Sequence, residues 1–230
     1  MSEEKNLNKL IIILIIWYQN EMDFSLLALL NKNYPINKKI IITNQIKILK
    51  EENYSKNPDR PEIIVDSAMF ELETNKDKLI NESIESIKLR YEKIDILLYD
   101  ENIRIADKFN FLTDNLLILK SQIQSELIKK ILIVQSIIPL LEKSDEKQII
   151  FLTSDETNFE NYKDNLIQNM LYSGFNMITT AIADEYIEKG FSCNGVIMNN
   201  EYVETLQWLL EQRNNAINGK LIKNKEVINW

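Results

Sequence analysis

The chain has no histidine at all. That removes the commonest general base and transition-metal ligand, and with it triad hydrolases and histidine-based zinc sites. Its one cysteine, Cys193, cannot close an internal disulfide, which fits a reducing compartment and a cytoplasmic location. Glycine is scarce: Gly174, Gly190, Gly195 and Gly219 are the full set, so the first 173 residues have none. Positive charge is outweighed, with 27 Lys and Arg against 35 Asp and Glu and a net charge of −8. This balance argues against nucleic acid and anionic membranes as partners, since both need a basic surface. Long hydrophobic runs are missing too. The most apolar stretch, Leu10 to Trp17, falls well short of the roughly 20 residues a membrane helix requires. The residues before it, Met1 to Lys9, lack the basic start of a secretion signal.

What is present is an ordinary globular balance, 45% apolar and 27% charged over 230 residues, enough for one domain spanning 1–230 with a full core. Lys9–Trp17 (KLIIILIIW) is a continuous β-branched run, the pattern of a strand covered on both faces. Lys39–Thr43, Ile63–Val65, Ile94–Tyr99, Gln148–Thr153 and Phe191–Met198 read as further strands, with a last one near Lys220–Val227. Helical spacing marks Phe24–Asn33, Lys76–Lys93, Thr113–Leu141, Tyr162–Lys189 and Tyr202–Gln212. Strands alternating with helices of this length predict an α/β fold, a parallel sheet with helices on both faces.

Three stretches in this order are distinctive: Ala183–Met198 (ADEYIEKGFSCNGVIM), Trp208–Gly219 (WLLEQRNNAING) and Glu126–Pro139 (ELIKKILIVQSIIP). The first resembles a helix end, glycine turn and sixth strand of the short-chain dehydrogenase/reductase family, with Glu185, Gly190, Asn194 and Val196 in register. The second is similar to that family's late segment ending in Thr-Gly, here Asn218-Gly219. The third is similar to its helix ending Gln-x-x-x-Pro. Asp95 to Leu98 and Ile149 to Ser154 match the flanking strands. The resemblance implies a Rossmann-like, doubly wound parallel sheet of about seven strands, and an NAD(P)-dependent oxidoreductase ancestry.

The residues that would hold the cofactor depart from the family's pattern. Dinucleotide binding needs a glycine-rich turn where backbone N–H groups approach the pyrophosphate at a helix N-terminus. The family's loop glycines fall on Ile16, Asn20 and Met22, and the acids Glu21 and Asp23 would complement the helix dipole themselves and repel a dianion. Its Asn-Asn-Ala-Gly motif lands on Tyr99-Asp100-Glu101-Asn102. The second strand ends in Asn44-Gln45, with no acid for a ribose and no arginine for a 2′-phosphate. Only Asp66 matches, at the position of the family's adenine-contacting aspartate. No bound cofactor is therefore expected.

The catalytic set departs as well. The resemblance implies a Tyr proton donor, a Lys four residues later that lowers its pKa, a Ser that orients the substrate and an Asn in a water relay. An ungapped count puts the Tyr at Gln168, the Lys at Tyr172 and the Asn at Glu126. A shifted count keeps Tyr172 but gives Asn176 for Lys. Only Ser154, or its neighbour Thr153, survives. Without a cation at helical spacing nothing lowers a phenol from its usual pKa near 10. The family's lid after the sixth strand is also missing, because helical residues resume at Tyr202, directly after Met198-Asn199.

Asp100, Glu101, Glu126, Asp155 and Glu156 should gather near the strand ends, and are read as solvated loop acids rather than metal ligands. Lys38-Lys39 and Lys129-Lys130 are read as solvated faces. The resemblance implies that the helices at 113–141 and 162–189 pair with their copies, and the apolar excess of 113–141, where it is not core, would serve that contact in a homo- or hetero-oligomer. The reading is a non-catalytic homologue, a pseudoenzyme working through protein association. The alternatives are a divergent carbonyl or enoyl reductase using Ser154 and Tyr172, with Asp66 on the cofactor, and a module binding a small molecule in the vacated crevice.

Overall fold

A computed structural model describes residues 11–17, 37–43, 62–65, 85, 87–89, 91–100, 116–154, 166–212 and 217–228. Of strands β1 (Ile11–Trp17), β2 (Asn37–Thr43) and β3 (Glu62–Val65) it describes the backbone. β4 (Ile96–Asp100) is followed by a long helical run in three parts: α1 (Leu116–Gln122), a π-helical stretch (Ile123–Ile128) and α2 (Lys129–Leu141). Then come β5 (Gln148–Thr153), α3 (Leu166–Glu185), a 3-10 turn (Ile187–Lys189), β6 (Ser192–Ile197), α4 (Tyr202–Glu211), β7 (Leu221–Lys223) and β8 (Glu226–Ile228).

The strands form one sheet in the order β3-β2-β1-β4-β5-β6-β7-β8, parallel except for β8. The order reverses beside β1, which pairs with β2 on one side and β4 on the other, so the sheet is doubly wound. β4, β5 and β6 are buried on both faces, which is why β4 and β5 read as largely apolar runs. Leu97, Tyr99, Ile149, Phe151 and Cys193 turn to one face and meet Ile133, Val134, Ile137 and Leu141 of α2 and Ala183 of α3. Ile96, Leu98, Ile150, Leu152, Val196 and Ile222 turn to the other face and meet Tyr202, Leu206, Leu209 and Leu210 of α4.

Successive crossovers β5-α3-β6 and β6-α4-β7 move the same way along the sheet, yet their helices lie on opposite faces. The two connections therefore have opposite hands, and one of them breaks the right-handed rule for parallel units. A short β7, paired with β6 at only Gly195↔Leu221 and Val196↔Ile222, completes this departure.

The sequence reading needs correction at the end. The single strand near 220–227 is two strands, giving eight among the described residues where about seven were expected, and the last is antiparallel. Asn224 and Lys225 both take positive φ, 51° and 65°, and form a two-residue hairpin turn without glycine. Asn199 donates from Nδ2 to Asn224 Oδ1 at 2.7 Å, tying that turn to the link between β6 and α4. At the opposite end of the sheet, fully buried Asp95 accepts hydrogen bonds from Lys93 Nζ at 2.8 Å and from Ser144 Oγ. This joins the start of β4 to the turn after α2. The helix expected over 24–33 lies outside the described residues, as does most of 76–93.

Candidate functional site

All parallel strands end at the same edge of the sheet, and the order reversal beside β1 puts the crevice of a doubly wound fold there. Ile16, one of the three residues set against loop glycines, is still strand: it pairs with Ile42 of β2 and Tyr99 of β4. Asn20, Glu21, Met22, Asp23, Asn44, Gln45, Asp66, Glu101, Asn102, Asp155 and Glu156 lie outside the described residues.

β5 ends at Thr153, whose backbone carbonyl accepts from Met198 N at 2.7 Å. Strand alternation puts Thr153 on the face of Ile149 and Phe151, toward α2 and α3. It is 1% exposed, and its Oγ1 has no hydrogen-bond partner among the described residues. Ser154, the first residue past the strand, is half-buried. Of the two hydroxyls, Thr153 is the one turned toward the helix that carries Tyr172.

α3 runs antiparallel to β5 because it must return the chain to the start of β6. Phe175 and Phe151 meet edge to face, with ring centroids 6.1 Å apart, and fix the relative height of helix and strand. From that level Thr153 lies two strand residues higher, about 6–7 Å. Tyr172 lies three helical residues higher, about 4.5 Å. Tyr172 therefore stands near the strand end, with Gln168 a further turn beyond. Tyr172 is buried with Ile167, Leu171 and Phe175, against Leu119, Ile123 and Leu127 of the preceding helical run. Asn176, at the shifted lysine position, is 7% exposed and neutral. Neither register places a cation on α3, since no Lys or Arg occurs between Leu166 and Glu185. A nicotinamide ribose held by a helical lysine has no counterpart in that helix.

Of the residues taken for solvated charges, Lys130 and Asp100 are buried and Glu126 is half-buried. Lys130 is 6% exposed: its ammonium sits 5.4 Å over the Phe175 ring and 3.6 Å from Glu126 Oε2. Glu126, at the family's Asn position, belongs to the π-helical stretch and is mostly buried. Asp100, the last residue of β4, is fully buried beside β5. The signal for Lys130 was available, because it lies three, four and seven residues before Ile133, Val134 and Ile137 on the buried stripe. Among the described residues no group of three acids or cysteines is placed to hold a metal ion.

The link from β6 to α4 runs only from Met198 to Glu201, and Asn199 caps it, its Oδ1 accepting from Glu201 N at 2.9 Å. No room remains there for a long closing segment. Tyr186, Glu185 and Lys189 lie at the far end of α3, away from the strand ends. There burial, and then the neighbouring Glu185, raise the Tyr186 phenol above its usual value. The hydrogen bond to Glu142, 2.6 Å away, likewise raises the Lys189 ammonium.

The three family stretches are accounted for by packing and backbone geometry. Gly190 ends the 3-10 turn at φ 79°, Val196 is core, and Asn194 and Asn218 hold the segment leading into β7. Gly219, at φ 65°, sits where an added Cβ would lie 3.1 Å from Ala183 Cβ.

No family model and no curated protein matches the chain. Solved structures do. An NADPH-bound carbonyl reductase from chicken fatty liver is 15% identical, covering 98% of this chain and 97% of its own, with a TM-score of 0.72. A short-chain dehydrogenase family protein from Francisella tularensis is 14% identical, covering 94% and 97%, with a TM-score of 0.69. A short-chain dehydrogenase from Salmonella enterica serovar Typhi is 14% identical, covering 98% and 100%, with a TM-score of 0.68. No helix among the described residues is long and apolar enough to cross a membrane. In fold, across nearly its whole length, the chain is like the short-chain dehydrogenases/reductases.

Proposed function

We propose that this chain is a non-catalytic protein on a dehydrogenase scaffold, working by association with a second copy of itself. One helix, α3, carries the reading. On its inner face α3 carries Tyr172 but no Lys or Arg, so the family's Tyr-Lys pair on one helix is absent from it. On its outer face Met170 and Met177 are exposed, Met177 at 74%.

The neighbouring helical run matches that outer face, with exposed Leu116, Leu117, Ile128 and Leu132. Exposed apolar residues of this kind on two neighbouring helices suit an isologous contact, each copy presenting the same face. The buried stripes of the same helices are already used against the sheet, so the outer residues do nothing for the core. A charged protein of this composition gains solubility by covering them.

Sedimentation velocity of the full chain tests this. The expected species has twice the 27.1 kDa chain mass. The double variant Leu132→Asp, Met177→Asp should run as a monomer with an unchanged circular-dichroism spectrum. A wild-type monomer at the highest soluble concentration, or a dimer unaffected by both aspartates, would contradict the proposal.

A further inference from the structure

Two of the four glycines follow an asparagine, Asn194-Gly195 and Asn218-Gly219. Asn-Gly is the dipeptide most open to spontaneous deamidation, because glycine offers no side chain to shield its amide nitrogen. That nitrogen loses its proton and attacks the asparagine Cγ, ammonia leaves, and a five-membered succinimide forms. Water then opens the ring to aspartate or isoaspartate. One water enters and one ammonia departs, and no other reactant is needed.

The fold sets the two pairs against each other. Gly195 N donates to Lys220 O at 2.8 Å, while Lys220 N donates to Asn194 Oδ1 at 3.1 Å. Gly219 N donates to Cys193 O at 2.8 Å, while Cys193 N donates to Asn218 Oδ1 at 2.8 Å. Each pair thus has its attacking nitrogen and its amide oxygen held by the N–H and C=O of one residue on the opposite segment. The amide nitrogens are held too. Asn194 Nδ2 donates to Ser192 Oγ at 3.0 Å and to Ile217 O at 2.9 Å. Asn218 Nδ2 donates to Ala183 O at 3.4 Å and Phe191 O at 3.3 Å. Asn194 is 1% exposed and Cys193 fully buried, which keeps water and base from the first pair, while Asn218 is half-buried and is held by its hydrogen bonds.

We propose that Asn194 and Asn218 form a fold-guarded modification site, inert while the segment 217–220 lies on β6 and reactive once it leaves. Ring closure needs the glycine nitrogen freed from its carbonyl and the side chain turned onto its own backbone, and the lock forbids both. The product cannot relock. A carboxylate at 218 faces the carbonyls of Ala183 and Phe191 with no donor, and one at 194 faces Ile217 O in the same way. Opening of this sheet edge is thereby converted, with time, into irreversible loss of the fold.

The test incubates the full chain at mildly alkaline pH in buffer and in concentrated urea, then maps peptides for a gain of about 1 Da and for isoaspartate. Both sites should react in urea and be at least about tenfold slower in buffer, where only opened molecules are exposed. The fraction that refolds on dilution should fall in step with deamidation. Asn218→Thr, which cannot form the ring, should slow that loss. Equal rates in the two conditions, or deamidated chains that refold as well as fresh ones, would overturn the proposal.

Discussion

A lysine ammonium taken out of water must be met by a counter-charge, a π face or both, and Lys130 has both. Its partner Glu126 is four residues back, with side chains 7% and 20% exposed. A pair of this kind contributes little net stability, yet removing one member strands the other. The double variant Lys130→Met, Glu126→Leu, which keeps the volume and discards both charges, should leave the urea midpoint unchanged or raise it. Glu126→Ala should lower stability by about 1–3 kcal/mol, less than for a fully buried pair because Glu126 keeps some solvent. Equal losses in the two variants would contradict this assignment. Asp100 shows the same limit of sequence reading. Its chemistry says surface, and only the pairing of β4 between β1 and β5 reveals that the strand end is covered. Lys130 could have been read from the i, i+3, i+4 spacing of its neighbours. Thr153 could not, because its orientation depends on which face of β5 receives α3.

Among the elements, strands with long apolar runs were legible to within two residues, since burial on both faces favours that composition. The hairpin β7–β8 was not, because Asn224 and Lys225 adopt left-handed conformations that their sequence does not advertise. The joint between α3 and β6 yields a pH prediction. Tyr186 and Lys189 both have folded-state pKa values raised above 10.0 and 10.5. Their contribution is therefore complete below those values and is lost as pH climbs through the higher folded ones. Urea midpoints should hold steady from neutral pH to about 9 and fall above about 10. Glu142→Leu, which removes the acceptor raising Lys189, should flatten that fall. A midpoint that stays level through this window would exclude the linkage.

For the whole molecule, alternating strands and helices made the doubly wound sheet legible. The opposite hands of the last two crossovers were beyond it, because they depend on which face α4 covers. The same architecture recurs in an NADPH-bound carbonyl reductase, and this chain keeps the frame while α3 carries no Lys or Arg. Fold and activity are separable in general because chemistry resides in a few side chains while the frame rests on the apolar pattern. The account stands on that separation. Its most direct test is a titration of the chain with NADPH and NADH, followed by thermal shift and by the fluorescence of Trp208, half-buried on α4. The account predicts no change in melting temperature and no quenching up to millimolar cofactor; saturable binding with a micromolar Kd would contradict it.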